Sequence, residues 1–156
     1  MQQASIIANH NFQPCQIVFL AHENTRLYAE VIQVVSVRQI CWVRPLMLAV
    51  FGSDCAPVEP KLHDLRESAD LLWPLNLFQP ALDTEVIPLI GQLQAFDAIL
   101  EGSSSASLSV RAQLAHQHLS HFVRQVWQAH QSDFGQGGME QKFEKSTAPP
   151  TRGWGL

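Results

Sequence analysis

Two kinds of hydrophobic spacing divide the chain. Up to residue 51 apolar positions gather in short runs rich in valine, isoleucine and aromatics; from residue 85 they recur at intervals of three and four. The first run, 16–21, reads as a strand by its β-branched and aromatic content. His22, Glu23, Asn24 and Thr25 come next as a turn, because Asn and Thr side chains compete for nearby backbone groups. Residues 26–35 are dense in valine and isoleucine and predict a second strand. Alternation slips within it: Glu30 and Gln33 fall on opposite faces, which requires either cover on both faces or a bulge between them. Residues 36–39 make the next turn. The run 40–51 is apolar at both parities, as in a strand buried on both sides. Pro45 cannot donate to a ladder, so this run is expected as two strand pieces broken near Pro45, its nitrogen on an unpaired side. Three strands joined by short turns give an antiparallel meander, since parallel neighbours need long crossovers.

Residues 52–60 read as a loop. The stretch 62–82 carries Leu65, Leu71, Leu72, Trp73, Leu75, Leu77 and Phe78, interrupted by Pro74 and Pro80. Proline bars the helical region to the residue before it, so Trp73 and Gln79 are extended, and a short strand is expected at 70–73. The irregular chain after that strand is too apolar for a free loop and must lie against the sheet or a partner. A helix begins at Glu85, capped by Asp83 or Thr84, with Pro88 confined to its first turn. Its stripe is Leu89, Ile90, Leu93, Phe96, Ile99 and Leu100. Residues 102–107 break it, and a second helix spans 108–130 with Leu108, Ala112, Ala115, Leu119, Phe122 and Val126 buried. The expected fold class is α+β: an antiparallel sheet of about four strands packed by two C-terminal helices, forming one domain over 15–131. Residues 1–14 are expected as a flexible leader and 132–156 as a disordered tail, whose Trp154 and Leu156 are either a docking motif or a chance ending.

Composition narrows the class of function. A chain of 156 residues that is 46% hydrophobic can build a core without disulfides or structural metal. The longest apolar run, 46–51, is far short of the ~20 residues of a membrane span, and the start lacks a signal-peptide pattern. Cys15, Cys41 and Cys55 form no paired spacing, which fits a reduced, cytoplasmic setting. Charge is uneven: residues 57–101 carry eight acids against Lys61 and Arg66, while 102–156 carry five basic and three acidic groups. No basic stripe exists, so nucleic acid is not an expected partner, and the acidic middle is an ordinary solvated face or a lure for a neutral or basic one.

Candidate chemistry is sparse. His118 and His121 share a helical face, but zinc needs further ligands that no neighbouring Cys or acid supplies. His63, Asp64 and Ser68 superficially form a triad without a nucleophile elbow, and Glu67 and Asp70 are spaced to share a proton only if buried. No phosphate-binding loop is present. The reading is therefore not an enzyme, with no cofactor and no metal. Trp42 and Arg44 share a strand face with Tyr28 across from them, either as a cation–π platform or as plain cross-strand packing. A sheet edge can accept an extended peptide, and the proline-stiffened run beside it suits a groove wall. Trp73, Leu75, Leu77 and Phe78, with Trp42 and Arg44, are the expected peptide-binding residues.

The strings 27–35 (Leu-Tyr-Ala-Glu-Val-Ile-Gln-Val-Val), 41–46 (Cys-Trp-Val-Arg-Pro-Leu) and 64–74 (Asp-Leu-Arg-Glu-Ser-Ala-Asp-Leu-Leu-Trp-Pro) resemble the CcmS family of cyanobacterial carboxysome-assembly chaperones. The likeness spans about residues 15–100. It implies a non-enzymatic cytoplasmic helper that captures the C-terminal extension of a carboxysome shell protein. It carries no residue-level motif for the site. An assembly factor for photosynthetic complexes, a small nucleic-acid-binding module and a small-molecule enzyme with His63 and Asp64 converging in a pocket are the alternatives.

Overall fold

Strand-forming residues and tight turns produce the meander expected from the sequence. In the computed structural model, which describes residues 11–52 and 59–133, β1 (Ile17–His22), β2 (Thr25–Val35) and β3 (Ile40–Val50) are consecutive antiparallel neighbours. A two-residue turn at Glu23 and Asn24 joins the first pair, with Glu23 in the left-handed region. Beyond β3 lie β4 (Lys61–Asp64), β5 (Leu71–Pro74) and β6 (Gln79–Pro80), then α1 (Asp83–Leu100) and α2 (Ser105–Ala129). The class is α+β, with an antiparallel sheet. Six strands occur rather than about four, because β4 and β6 are short edge pieces.

β3 is a single strand, not two pieces. It tolerates Pro45 through a bulge: Tyr28 lies opposite Met47 and Ala29 opposite Pro45, leaving Leu46 as the extra residue. A second bulge answers it on β2, where Ile32 is extra between Val31, facing Val43, and Gln33, facing Trp42. This is the slip foreseen between Glu30 and Gln33. The outer side of β3 pairs with β4 along 47–50 and with β5 along 40–43. Leu75 N–H donates to the Gln39 carbonyl, which sets the phase of the ladder: Leu71 and Trp73 bond inward to Val43 and Cys41. Pro45, two residues beyond Val43, therefore turns its nitrogen outward into the gap between β4 and β5, where no strand pairs.

The sheet must also curl. β5 lies on one edge and β6 on the other, joined only by residues 75–78. Pro74 is level with Val35 and Gln79 with Tyr28 through the registers. On a flat sheet that separation is about 19 Å across and about 23 Å along the strands, whereas the connecting chain reaches at most about 18 Å. The 75–78 segment is thus a chord across the concave face, and the two bulges supply the bending.

Both faces are covered, each by one helix. Val18, Leu20, Leu27, Ala29, Val31, Cys41 and Val43 pack with Phe78 and with Ala115, Leu119, Phe122 and Val126 of α2. Tyr28, Met47 and Ala49 on the other face pack with Val86, Leu89 and Leu93 of α1. The Tyr28 hydroxyl donates to Glu85 Oε1, which also accepts from Arg26, so a carboxylate in the first turn pins α1 to the sheet. Arg26 lies between the Phe19 and Phe51 rings, 5.0 and 5.3 Å from their centroids.

Several boundaries differ from expectation. α1 starts at Asp83 after Leu82, without a side-chain cap, and Pro88 sits in its second turn. Ile99 is exposed at its far end. α2 starts at Ser105, where the Ser104 side chain accepts from Ser107 N–H, and Leu108 and Ala112 in its first turns are exposed. Phe12 is buried in the α2-side core, so ordered packing begins inside the stretch read as a leader. The expectations for 1–10, for Cys55 and for 134–156, including Trp154 and Leu156, lie outside the described residues.

Candidate functional site

The six side chains singled out in the sequence separate into two groups. Trp73, Leu75 and Phe78 do not wall a groove; they are interior, at 6%, 7% and 0% exposure. The chord carries Leu75 and Phe78 over the concave face, and Trp73 points to the same side from β5. Leu77 is partly buried against the same core. Trp42 and Arg44 lie on the opposite face, past the end of the cluster that α1 covers. Trp42 is 37% exposed; its Nε1–H donates to Asp70 Oδ2 at 3.0 Å, and Arg44 Nε donates to Asp70 Oδ1 at 3.3 Å. Tyr28 is not their neighbour: it faces Met47 beneath α1.

Leu72 stands directly opposite Trp42 and is 64% exposed, which makes an open apolar pair at the sheet's margin. The ladder phase that turns Leu71 and Trp73 inward turns the Leu72 N–H and carbonyl outward, with no strand beside them among the described residues. Pro74 also faces outward and offers only its carbonyl. The far edge repeats the device: Ala81 donates to the Ile17 carbonyl, so Pro80 of β6 faces outward too. Outward prolines on short strands keep both edges from indiscriminate pairing.

Beside the β5 edge, on the α2 side, runs an open groove of about 440 Å³. Ser68, Ala69 and Leu71 form one wall. Two rows of α2 form the other: Leu119, Val123 and Trp127, and the more polar His116, Ser120 and Arg124. Each row repeats at four residues and so stands on one helix face. Trp127 is 49% exposed.

The other candidates resolve individually. His118 does not pair with His121; its ring stacks on His63, centroids 4.0 Å apart and planes 23° off parallel. Desolvation, with His118 and Lys61 nearby, pushes buried His63 down to about 4. His63 and Asp64 are adjacent on β4 and point to opposite faces, His63 to α2 and Asp64 to Arg66, which also grips Asp97. They do not converge with Ser68, which lines the groove. Asp70 is committed to Trp42 and Arg44 rather than to Glu67. Burial pushes the Cys41 thiol up to about 11, which leaves it an inert packing group. Among the described residues no group of three or more His, Cys, Asp or Glu is placed to hold a metal, and no helix is long and apolar enough to cross a membrane.

No family model, curated protein or solved structure matches the chain. The site therefore stands on its own geometry. Sequence reasoning held Leu71 and Leu72 within the 71–82 wall but not among the binding residues, and passed over Trp127. Two signals pointed to them: Leu72 alternates against Trp73, and Trp127 lies just off the buried stripe of the second helix.

Proposed function

We propose that the protein is a non-enzymatic assembly factor that holds an extended segment of a client protein along the outer edge of β5. The observation that carries this reading is the outward, unpaired backbone of Leu72 beside an open apolar groove. A strand added there alternates its side chains, one set entering the groove against Leu71, Val123 and Trp127, the other covering Leu72 and Trp42. Pro74 supplies an acceptor but no donor, so the guest's register is constrained at that position. Arg26, Arg44 and Arg66 are each held by a carboxylate, which supports a protein guest over a nucleic acid. On the resemblance noted in the sequence, the first client to test is the C-terminal extension of a carboxysome shell protein, and the setting proposed with it is the cytoplasm beside carboxysomes. A subunit of a photosynthetic complex is the same physical class of guest.

The test is calorimetric titration of the full chain with a shell protein bearing its extension, and with the same protein truncated before it. Binding is expected only with the extension. Leu72→Pro deletes the outward donor without touching the bonds to β3, and should weaken binding about tenfold or more while the melting temperature holds. Full affinity in both Leu72→Pro and Trp127→Ala rejects the β5 edge as the docking site.

A further inference from the structure

We infer that the groove selects a guest carrying a carboxylate beside its apolar anchors, and that Arg124 reads that carboxylate. This rests on the docking reading above and adds the chemistry of the guest. The first observation is the surroundings of Arg124. α2 contains no aspartate or glutamate in its 25 residues, so the helix itself offers no counter-ion, unlike α1 with Asp83, Glu85 and Asp97. Arg26, Arg44 and Arg66 are gripped by carboxylates, and Arg111 lies 5.9 Å over the Phe96 ring. Arg124 has no such partner among the described residues. Arg38 is likewise unpaired among the described residues, but it sits in the turn after β2 and does not line this groove.

The second observation is position. Arg124 is exposed and lines the groove one turn from Ser120, flanked by Val123 and Trp127 and facing the wall that holds Leu71. A guest whose apolar side chains fill that groove displaces water from around the guanidinium. An uncompensated cation there costs free energy, whereas a carboxylate meets its planar fork with two parallel hydrogen bonds. The chain's net charge of −4 opposes long-range attraction of an acidic guest. The preference is therefore made at contact, and side-chain swaps test it more cleanly than salt.

The experiment uses fluorescence anisotropy of two labelled peptides, leucine alternating with glutamate or leucine alternating with glutamine, titrated with the full chain. The glutamate peptide should bind about fivefold tighter, the upper end for a partly exposed ion pair. Arg124→Gln should erase the difference between the two peptides, and Arg124→Lys should restore part of it. Equal affinities for the two peptides overturn the charge selection while leaving the docking reading intact. A preference that survives Arg124→Gln overturns the assignment to Arg124. Failure of both peptides to bind overturns the docking reading and this inference with it.

Discussion

Tyr28 is the chain's single tyrosine and is fully buried, so its ionisation can be followed without interference. Burial, and then the hydrogen bond it donates to Glu85, push it up to about 12 from 10.0. The neutral form is the one the fold favours. Its contribution to stability is complete below pH 10.0 and is lost as pH rises toward 12. Phenolate absorbance should therefore show a midpoint near 12 in the folded protein and near 10.0 in denaturant. A native midpoint at the denatured value would remove the Glu85 anchor. His63 carries the opposite sign. Its folded value of about 4 lies below the ordinary 6.5, so its contribution is complete above 6.5 and fades as pH falls toward 4. The groups around it are Lys61 on its own strand and His118 from α2, both of which raise the cost of a proton on its ring. His63→Leu should flatten that part of the pH–stability curve, by roughly 3 kcal/mol at most. Urea midpoints of both proteins at pH 7 and pH 4.5 measure the difference. Neither residue announced its role in the sequence, because Glu85 and His118 come close only through the packing of one helix on each face.

At the scale of elements, legibility tracked periodicity. β1, β2 and β3 carry β-branched runs long enough to show a pattern, and both-parity hydrophobicity in β3 reported cover on two sides. The slip between Glu30 and Gln33 reported a bulge. β4 and β6 have four and two residues and contain charges or proline, too little chain for any period. The candidate site was half legible. Trp42 was left between a cation–π platform and plain cross-strand packing; it is half-open at the sheet's margin, opposite Leu72 and bonded to Asp70. Trp73, Leu75 and Phe78 were read as a groove because hydrophobicity marks burial of any kind and does not distinguish a core from a docking wall. Parity does distinguish them within β5. Trp73→Ala should cost about 3–5 kcal/mol, whereas Leu72→Ser, next to it but pointing outward, should stay within about 0.5 kcal/mol. Chemical denaturation of the two variants decides it, and comparable losses would mean that β5 is turned the other way.

At the scale of the whole molecule, one short segment determines the shape. A six-stranded sheet with helices on both faces could lie open, and its two edges would then behave independently. Here residues 75–78 tie β5 to β6, and the tie is shorter than the flat distance between them. Phe78, fully buried where the chord crosses, is the anchor that makes this curvature favourable. The Asn76 side chain adds a 3.3 Å hydrogen bond to Asp133, just past α2. Removing the Phe78 ring leaves a void under the chord and should cost about 3–5 kcal/mol. The distribution of that loss tests the architecture more sharply than its size. In Phe78→Ala, amide hydrogen exchange should speed up together at both edges, at Phe19 and Ala81 beside β6 and at Trp73 and Leu75 of β5 and the chord. Val31, whose N–H donates to the Gln16 carbonyl in the sheet's interior, should keep its protection until global unfolding. If only one edge loosens, the chord is a passive linker and the groove beside β5 is held open by α2 alone. If both loosen, the same buried ring that curls the sheet also fixes the β5 edge against α2, and the docking surface is a property of the closed sheet rather than of any single strand.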